Sequence, residues 1–154
     1  MRAQILKIVF AFFAVALSLG VSAAEQRATK EEAVAMVKKA ADYLKQNGKD
    51  KAFPEFNNPK GQFVDREVYV VVMDMNGTVL AHGVNPRLVG KSLIDIKDVH
   101  GKGFVREQVD LAKGKGSGWV NFEWNNPVTQ KMEPRSTYLE RSGDYIVISG
   151  VYGK

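Results

Sequence analysis

Val68-Tyr69-Val70-Val71-Val72-Met73, then Asp74-Met75-Asn76-Gly77, then Thr78-Val79-Leu80-Ala81-His82, is the stretch that decides the fold. Six β-branched, aromatic or apolar residues in a row predict a strand. Asn-Gly is the dipeptide that best tolerates the two positive-φ positions of a tight hairpin turn, so the chain is expected to reverse there and pair with Thr78–His82. Asn85-Pro86 ends the return strand. Asp74-Met75-Asn76-Gly77 also opens like a calcium-binding loop, but the acidic twelfth ligand would fall on Asn85, which leaves the hairpin.

Downstream, Phe104–Lys113 carries apolar residues at helical spacing, and Gly114, Gly116 and Gly118 break it. Trp119–Trp124, Ser136–Arg141 and Tyr145–Tyr152 predict three more strands, the last two joined by the tight turn Ser142-Gly143-Asp144. Arg87–Lys102 reads as loop with a turn of helix. Upstream, Thr29-Lys30-Glu31-Glu32 has the form of a capping box. Ala33, Val37, Ala40 and Leu44 follow on one helical face, and Asn47-Gly48 ends it, giving a helix over Lys30–Asn47. Lys49–Phe63 reads as a short helical turn and a loop. Short connections favour antiparallel neighbours. The expectation is an α+β domain: a five-stranded antiparallel sheet, a long N-terminal helix, and a short helix before the third strand.

The first 24 residues have a different character. Arg2 and Lys7 precede the apolar run Ile8–Leu17, and small residues follow to Ala24. That is the three-part form of a secretory signal peptide, and the run is too short for a bilayer core. Cleavage after Ala23 or after Ala24 both fit, the latter better, so the expected division is 1–24 as leader and 25–154 as one domain. A periplasmic location follows. The chain carries 22 Lys+Arg against 17 Asp+Glu, a net +5 that falls to +3 without Arg2 and Lys7. So mild and scattered a charge argues against a nucleic-acid partner.

Cysteine is absent and there are two histidines, which excludes disulfides, thiolate chemistry and cysteine-rich metal sites and leaves little for a histidine metal centre. Gly90-Lys91-Ser92 lacks the earlier glycine of a phosphate-binding loop, having Asn85 there, and Gly114–Gly118 precedes a strand instead of following one. Ser92, Ser117, Ser136 and Ser149 show no nucleophile spacing. The expectation is a non-enzyme with no cofactor and no metal. What remains is aromatic and cationic. Phe122 and Trp124 share a strand face, with Trp119 on the other. Arg135 and Tyr138 lie near the start of the next strand, and Arg106 lies in the short helix. An arginine fork with aromatic walls suits a small organic acid. The same residues also read as core aromatics and surface arginines.

These segments resemble single Cache domains. The resemblance is carried by Leu80–Pro86 with Leu88–Leu93, by Phe104-Val105-Arg106-Glu107, by Gly116–Val120, by the Trp124/Pro127 pair, by Glu133–Tyr138 and by Gly150-Val151-Tyr152, in family order over Glu25–Tyr152. Cache domains are PAS-like extracellular sensory modules whose concave sheet face holds a small ligand. For this type the ligands are small carboxylates such as acetate, propionate, pyruvate or lactate, and in some cases urea. The resemblance implies a pocket between the third to fifth strands and the short helix. It assigns Trp124, Arg135 and Tyr138 to that pocket, with Arg106, Phe122 and His82 less directly.

Receptors usually have lysine where this chain has Arg135; arginine keeps the charge and adds a planar fork. They also continue into a transmembrane helix, whereas this sequence stops at Lys154, so the expectation is an exported form that does not transmit a signal alone. Arg135 and Tyr138 have opposite parity, so on a regular strand one of them leaves the pocket unless Pro134 displaces Arg135 from regular pairing. The expected function is a periplasmic binding module for a small carboxylate, linked to a membrane sensor or transporter. The alternative is a ligand-free interaction protein whose alanine-rich helix docks on a partner or forms a homodimer.

Overall fold

The computed structural model describes residues 26–153; the expected leader lies outside them. Helix α1 (Lys30–Asn47) starts at the capping box, with the Thr29 hydroxyl accepting from the Glu32 amide and the Glu32 carboxylate accepting from the Thr29 amide. It ends at Gly48, whose φ of 73° is easy for glycine. Helix α2 (Lys49–Phe56) follows directly. A two-residue hairpin, β1 (Val64–Asp65) with β2 (Val68–Tyr69), turns through Arg66 at φ 55°. Then come β3 (Val71–Asp74), β4 (Val79–His82), a single 3-10 turn at Pro86–Leu88, α3 (Phe104–Gly114), β5 (Ser117–Asn125), β6 (Met132–Ser142) and β7 (Tyr145–Tyr152).

The main sheet is five-stranded and antiparallel throughout, in the order β4-β3-β7-β6-β5. Asn76-Gly77 does make the β3–β4 turn. Gly77 sits at φ 80°, and the Asp74 carboxylate accepts from the amides of Asn76 and Thr78. One expected strand, Val68–Met73, is really two. The chain bends at Val70, giving β2 to the small hairpin and β3 to the sheet. Val68, Tyr69 and Val70 are all buried, so the run has no alternation that would reveal the bend.

Residues alternate across the sheet and so build two cores. On one face, Val72 and Val147 pack with α1 and α2 around Val37, Ala40, Leu44 and Phe56. The alanine stripe of α1 packs on the protein's own sheet, with Ala33 and Ala40 fully buried. On the other face, Met73, Val120, Leu139, Ile146 and Ile148 meet Val105 and Val109 of α3. The long segment between β4 and α3 closes this second face. The amide of Val79 donates to the Lys91 carbonyl, that of Leu93 to the Gly77 carbonyl, and that of Glu123 to the Asp98 carboxylate. Among the described residues, no helix is long and apolar enough to cross a membrane.

Candidate functional site

Beneath that segment, on the α3 face of the sheet, lies a cavity of about 50 Å³. One water needs roughly 10–15 Å³ on the same measure, so the space suits an organic molecule of a few heavy atoms. Its aromatic wall follows from strand alternation. Phe122 and Trp124 point the same way from β5, and Phe104 enters from the first turn of α3. Phe104 lies flat on Phe122, centroids 3.9 Å apart and planes 6° apart, while Trp124 stands edge-on to Phe104 at 5.3 Å. Val71, Met73, Leu88 and Leu93 complete an apolar lining.

Into this apolar lining projects a guanidinium. Arg135 is paired in regular register on both sides, opposite Phe122 on β5 and Tyr152 on β7, so Pro134 does not displace it. It is 4% exposed. Its Nη1 donates to the hydroxyls of Tyr69 and Tyr152, and its guanidinium carbon lies 4.3 Å and 4.9 Å from the two ring centroids. The phenols are themselves satisfied: they share a hydrogen bond of 3.2 Å, and Tyr152 donates to the Asn125 carbonyl. Burial pulls the Arg135 pKa down, but the two tyrosines outweigh it and hold the group above its ordinary value. Burial pushes the Tyr152 phenol up, which keeps it neutral.

Two features of Arg135 stand out. Its Nε has no hydrogen-bond partner, and no carboxylate among the described residues forms an ion pair with it. Burying an ion without a counter-charge costs several kcal/mol, which here the two phenols and ring faces offset rather than a carboxylate. The arrangement is a buried cation at the edge of a largely apolar hollow.

Two neutral polar groups share the hollow. His82 ends β4 with its ring 5.1 Å from that of Tyr69. Its Nδ1 accepts from the amides of Val84 and Asn85, so the proton sits on Nε2. Burial, with the nearby charge of Arg135, pushes its pKa down to about 3, so it stays neutral. Gln108 lies in the buried stripe of α3, and its amide nitrogen donates to the Thr137 hydroxyl at 3.0 Å.

Of the six residues expected from sequence, Arg135, Trp124, Phe122 and His82 converge on the cavity. Tyr138 does not. Strand β6 is regular from Met132 onward, so Tyr138 points to the α1 face, packs 5.4 Å from Trp119 and donates to Glu140. Arg106 does not either. It sits two residues beyond Phe104 on the outer side of α3, largely exposed and paired with Asp95 at 2.6 Å. The cavity is also wider than expected, since β3, β4 and the covering segment line it.

Sequence reasoning missed Tyr69, Tyr152, Gln108 and Thr137. Gln108 had a signal, a polar residue four positions after Phe104 on an apolar stripe. Thr137 and Tyr152 also had one: Thr137 shares parity with Arg135 on β6, and Tyr152 with Ile146 and Ile148 on β7. Tyr69 had none, because it lies at the hidden bend.

Residues 20–154 match the model of a family described as single Cache domain 2. The methyl-accepting chemotaxis protein McpP of Pseudomonas putida is 29% identical over 90 residues, 57% of this chain and 16% of that protein, so the chain spans under a fifth of this curated relative. Among solved structures, a methyl-accepting chemotaxis protein from Vibrio parahaemolyticus is 25% identical with a TM-score of 0.69, covering 80% of this chain and 87% of that one. A Cache chemosensory domain described for its recognition of carboxylic acids is 26% identical with a TM-score of 0.68, covering 80% and 92%.

Proposed function

The chain belongs to the single Cache domain 2 family of sensory modules, and from that premise we propose that it captures a small carboxylate in the periplasm, without chemistry, and presents it to a membrane-bound sensor or transporter. The observation that carries this reading is Arg135: a buried guanidinium with an unpartnered Nε and no ion-paired carboxylate among the described residues, lining a hollow of small-molecule size. A carboxylate entering there supplies the missing charge, and its two oxygens match the guanidinium fork. Phe104, Phe122 and Trp124 shield the short carbon chain and exclude water, which strengthens the ion pair. The tyrosines fix the fork in place, so little is spent on ordering it. A carboxylic-acid-recognising relative on the same fold supports the ligand class.

Calorimetric titration with acetate, propionate, pyruvate and lactate tests the reading. At least one acid is expected to bind the wild type. Arg135→Ala is expected to weaken that binding by about 2–5 kcal/mol, the range for truncating one partner of a desolvated charge pair. Unchanged affinity in the variant removes Arg135 from the role.

A further inference from the structure

We infer that the cavity selects for a carboxylate bearing a hydroxyl beside its acid group, and that Gln108, held by Thr137, is the residue that makes the selection. The inference rests on the carboxylate reading above and refines it. Thr137 has one hydroxyl proton, and that proton goes to the Val120 carbonyl at 3.0 Å. Toward Gln108 the hydroxyl oxygen is therefore an acceptor only, and it takes the amide nitrogen at 3.0 Å. This fixes which way the amide of Gln108 is turned. Its nitrogen is engaged, and its oxygen meets no donor among the described residues, although Gln108 lines the cavity and is 3% exposed.

Across the same hollow, His82 offers the opposite polarity. Its Nδ1 is engaged by two backbone amides, which leaves Nε2–H as a donor with no acceptor among the described residues. The space thus presents a cation, an unmatched acceptor and an unmatched donor among apolar walls. A hydroxyl is a functional group that donates and accepts at once, to Gln108 and from His82. A keto oxygen has no proton for Gln108, and a plain alkyl chain leaves both polar groups buried and unmatched. Both cases carry a desolvation penalty that the hydroxy acid avoids.

Thr137 is itself held in its position. It pairs with Gly150 on β7, where a Cβ would come 2.5 Å from the Ser136 carbonyl and 2.8 Å from the Thr137 methyl. Glycine there leaves room for the side chain that turns Gln108.

The test compares lactate, propionate and pyruvate by titration calorimetry on the wild type, Gln108→Leu and Thr137→Val. In the wild type, lactate is expected to bind about tenfold or more tightly than propionate and pyruvate, the size of one or two well-made buried hydrogen bonds. Gln108→Leu keeps the volume and removes the acceptor, so the preference for lactate is expected to fall to within about twofold. Thr137→Val leaves Gln108 present but unpinned, and the preference for lactate is expected to shrink. Arg135→Ala is expected to weaken all three acids together. Equal wild-type affinities for lactate and propionate, with both lost in Arg135→Ala, overturn the selectivity and leave the carboxylate reading standing. Binding of none of the acids removes both. The wild-type ratio is decisive even where a variant fails to fold.

Discussion

Replacing Arg135 by methionine separates a residue kept for binding from one kept for folding. The guanidinium is 4% exposed, with an orphan Nε and no carboxylate paired with it among the described residues. Burying such an ion costs several kcal/mol, and exchanging buried ionic groups for apolar ones of similar volume is often neutral or stabilising by about 1–4 kcal/mol. Against this stand two hydrogen bonds to Tyr69 and Tyr152 and two ring-face contacts, each contact returning about 0.5–2 kcal/mol. The phenols keep their mutual hydrogen bond and the one to Asn125 after the exchange, so they are not left bare. The unliganded Arg135→Met protein is therefore expected to match the wild type or exceed it by up to about 2 kcal/mol. Carboxylate binding is expected to vanish from the calorimeter. Urea unfolding of both proteins in acid-free buffer measures the first effect, and the slope should stay constant. A loss of 3 kcal/mol or more in the unliganded state, with affinity retained, refutes the reasoning and makes Arg135 a structural residue.

Other perturbations have defined outcomes. His82 has a folded pKa of about 3 against an ordinary 6.5, so the unfolded chain takes up its proton first. Stability is therefore full above about pH 6.5 and falls as pH drops, by about 2 kcal/mol at pH 5. Thermal melts from pH 7.5 to 5 should show this, and His82→Gln should flatten the curve over that window. The lowered carboxylates, such as Glu133 at about 2, add their losses only at more acid pH. Thr29→Ala removes the capping box of α1 and is expected to cost about 1 kcal/mol in urea unfolding. Gly150→Ala drives a methyl into the Ser136 carbonyl and is expected to cost about 1–3 kcal/mol or to block folding, read by the yield of soluble protein and its melting point. Ligand-induced fluorescence change should persist in Trp119→Phe and disappear in Trp124→Phe, since Trp124 lines the cavity and Trp119 faces α1.

Much of this architecture could be read from residue patterns, and the losses have local causes. The helix over Lys30–Asn47, the turn at Asn76-Gly77 and the strand over Tyr145–Tyr152 each announce themselves within a few residues, by capping, turn chemistry or composition, and each lies where expected. The bend at Val70 was invisible because its neighbours are buried on both sides. The site divides the same way. Phe122 and Trp124 follow from alternation along one strand, Arg135 from the family resemblance, and the regular pairing of β6 decides that Tyr138 and not Arg135 leaves the cavity. Arg106 was drawn in by its charge, although its phase two residues after Phe104 turns it outward to Asp95. Tyr69 and Tyr152 meet Arg135 from 66 and 17 residues away. Such partnerships depend on strand order and register, which no local pattern states.

On the proposed function, Arg135 draws a ligand into the hollow through its charge. Titration with propionate and with propionamide, which have the same shape, tests it most directly. Saturable binding of the acid and none of the amide is expected, because only the acid answers the unpaired guanidinium. Comparable binding of the two would contradict the account and reduce the cavity to an apolar slot.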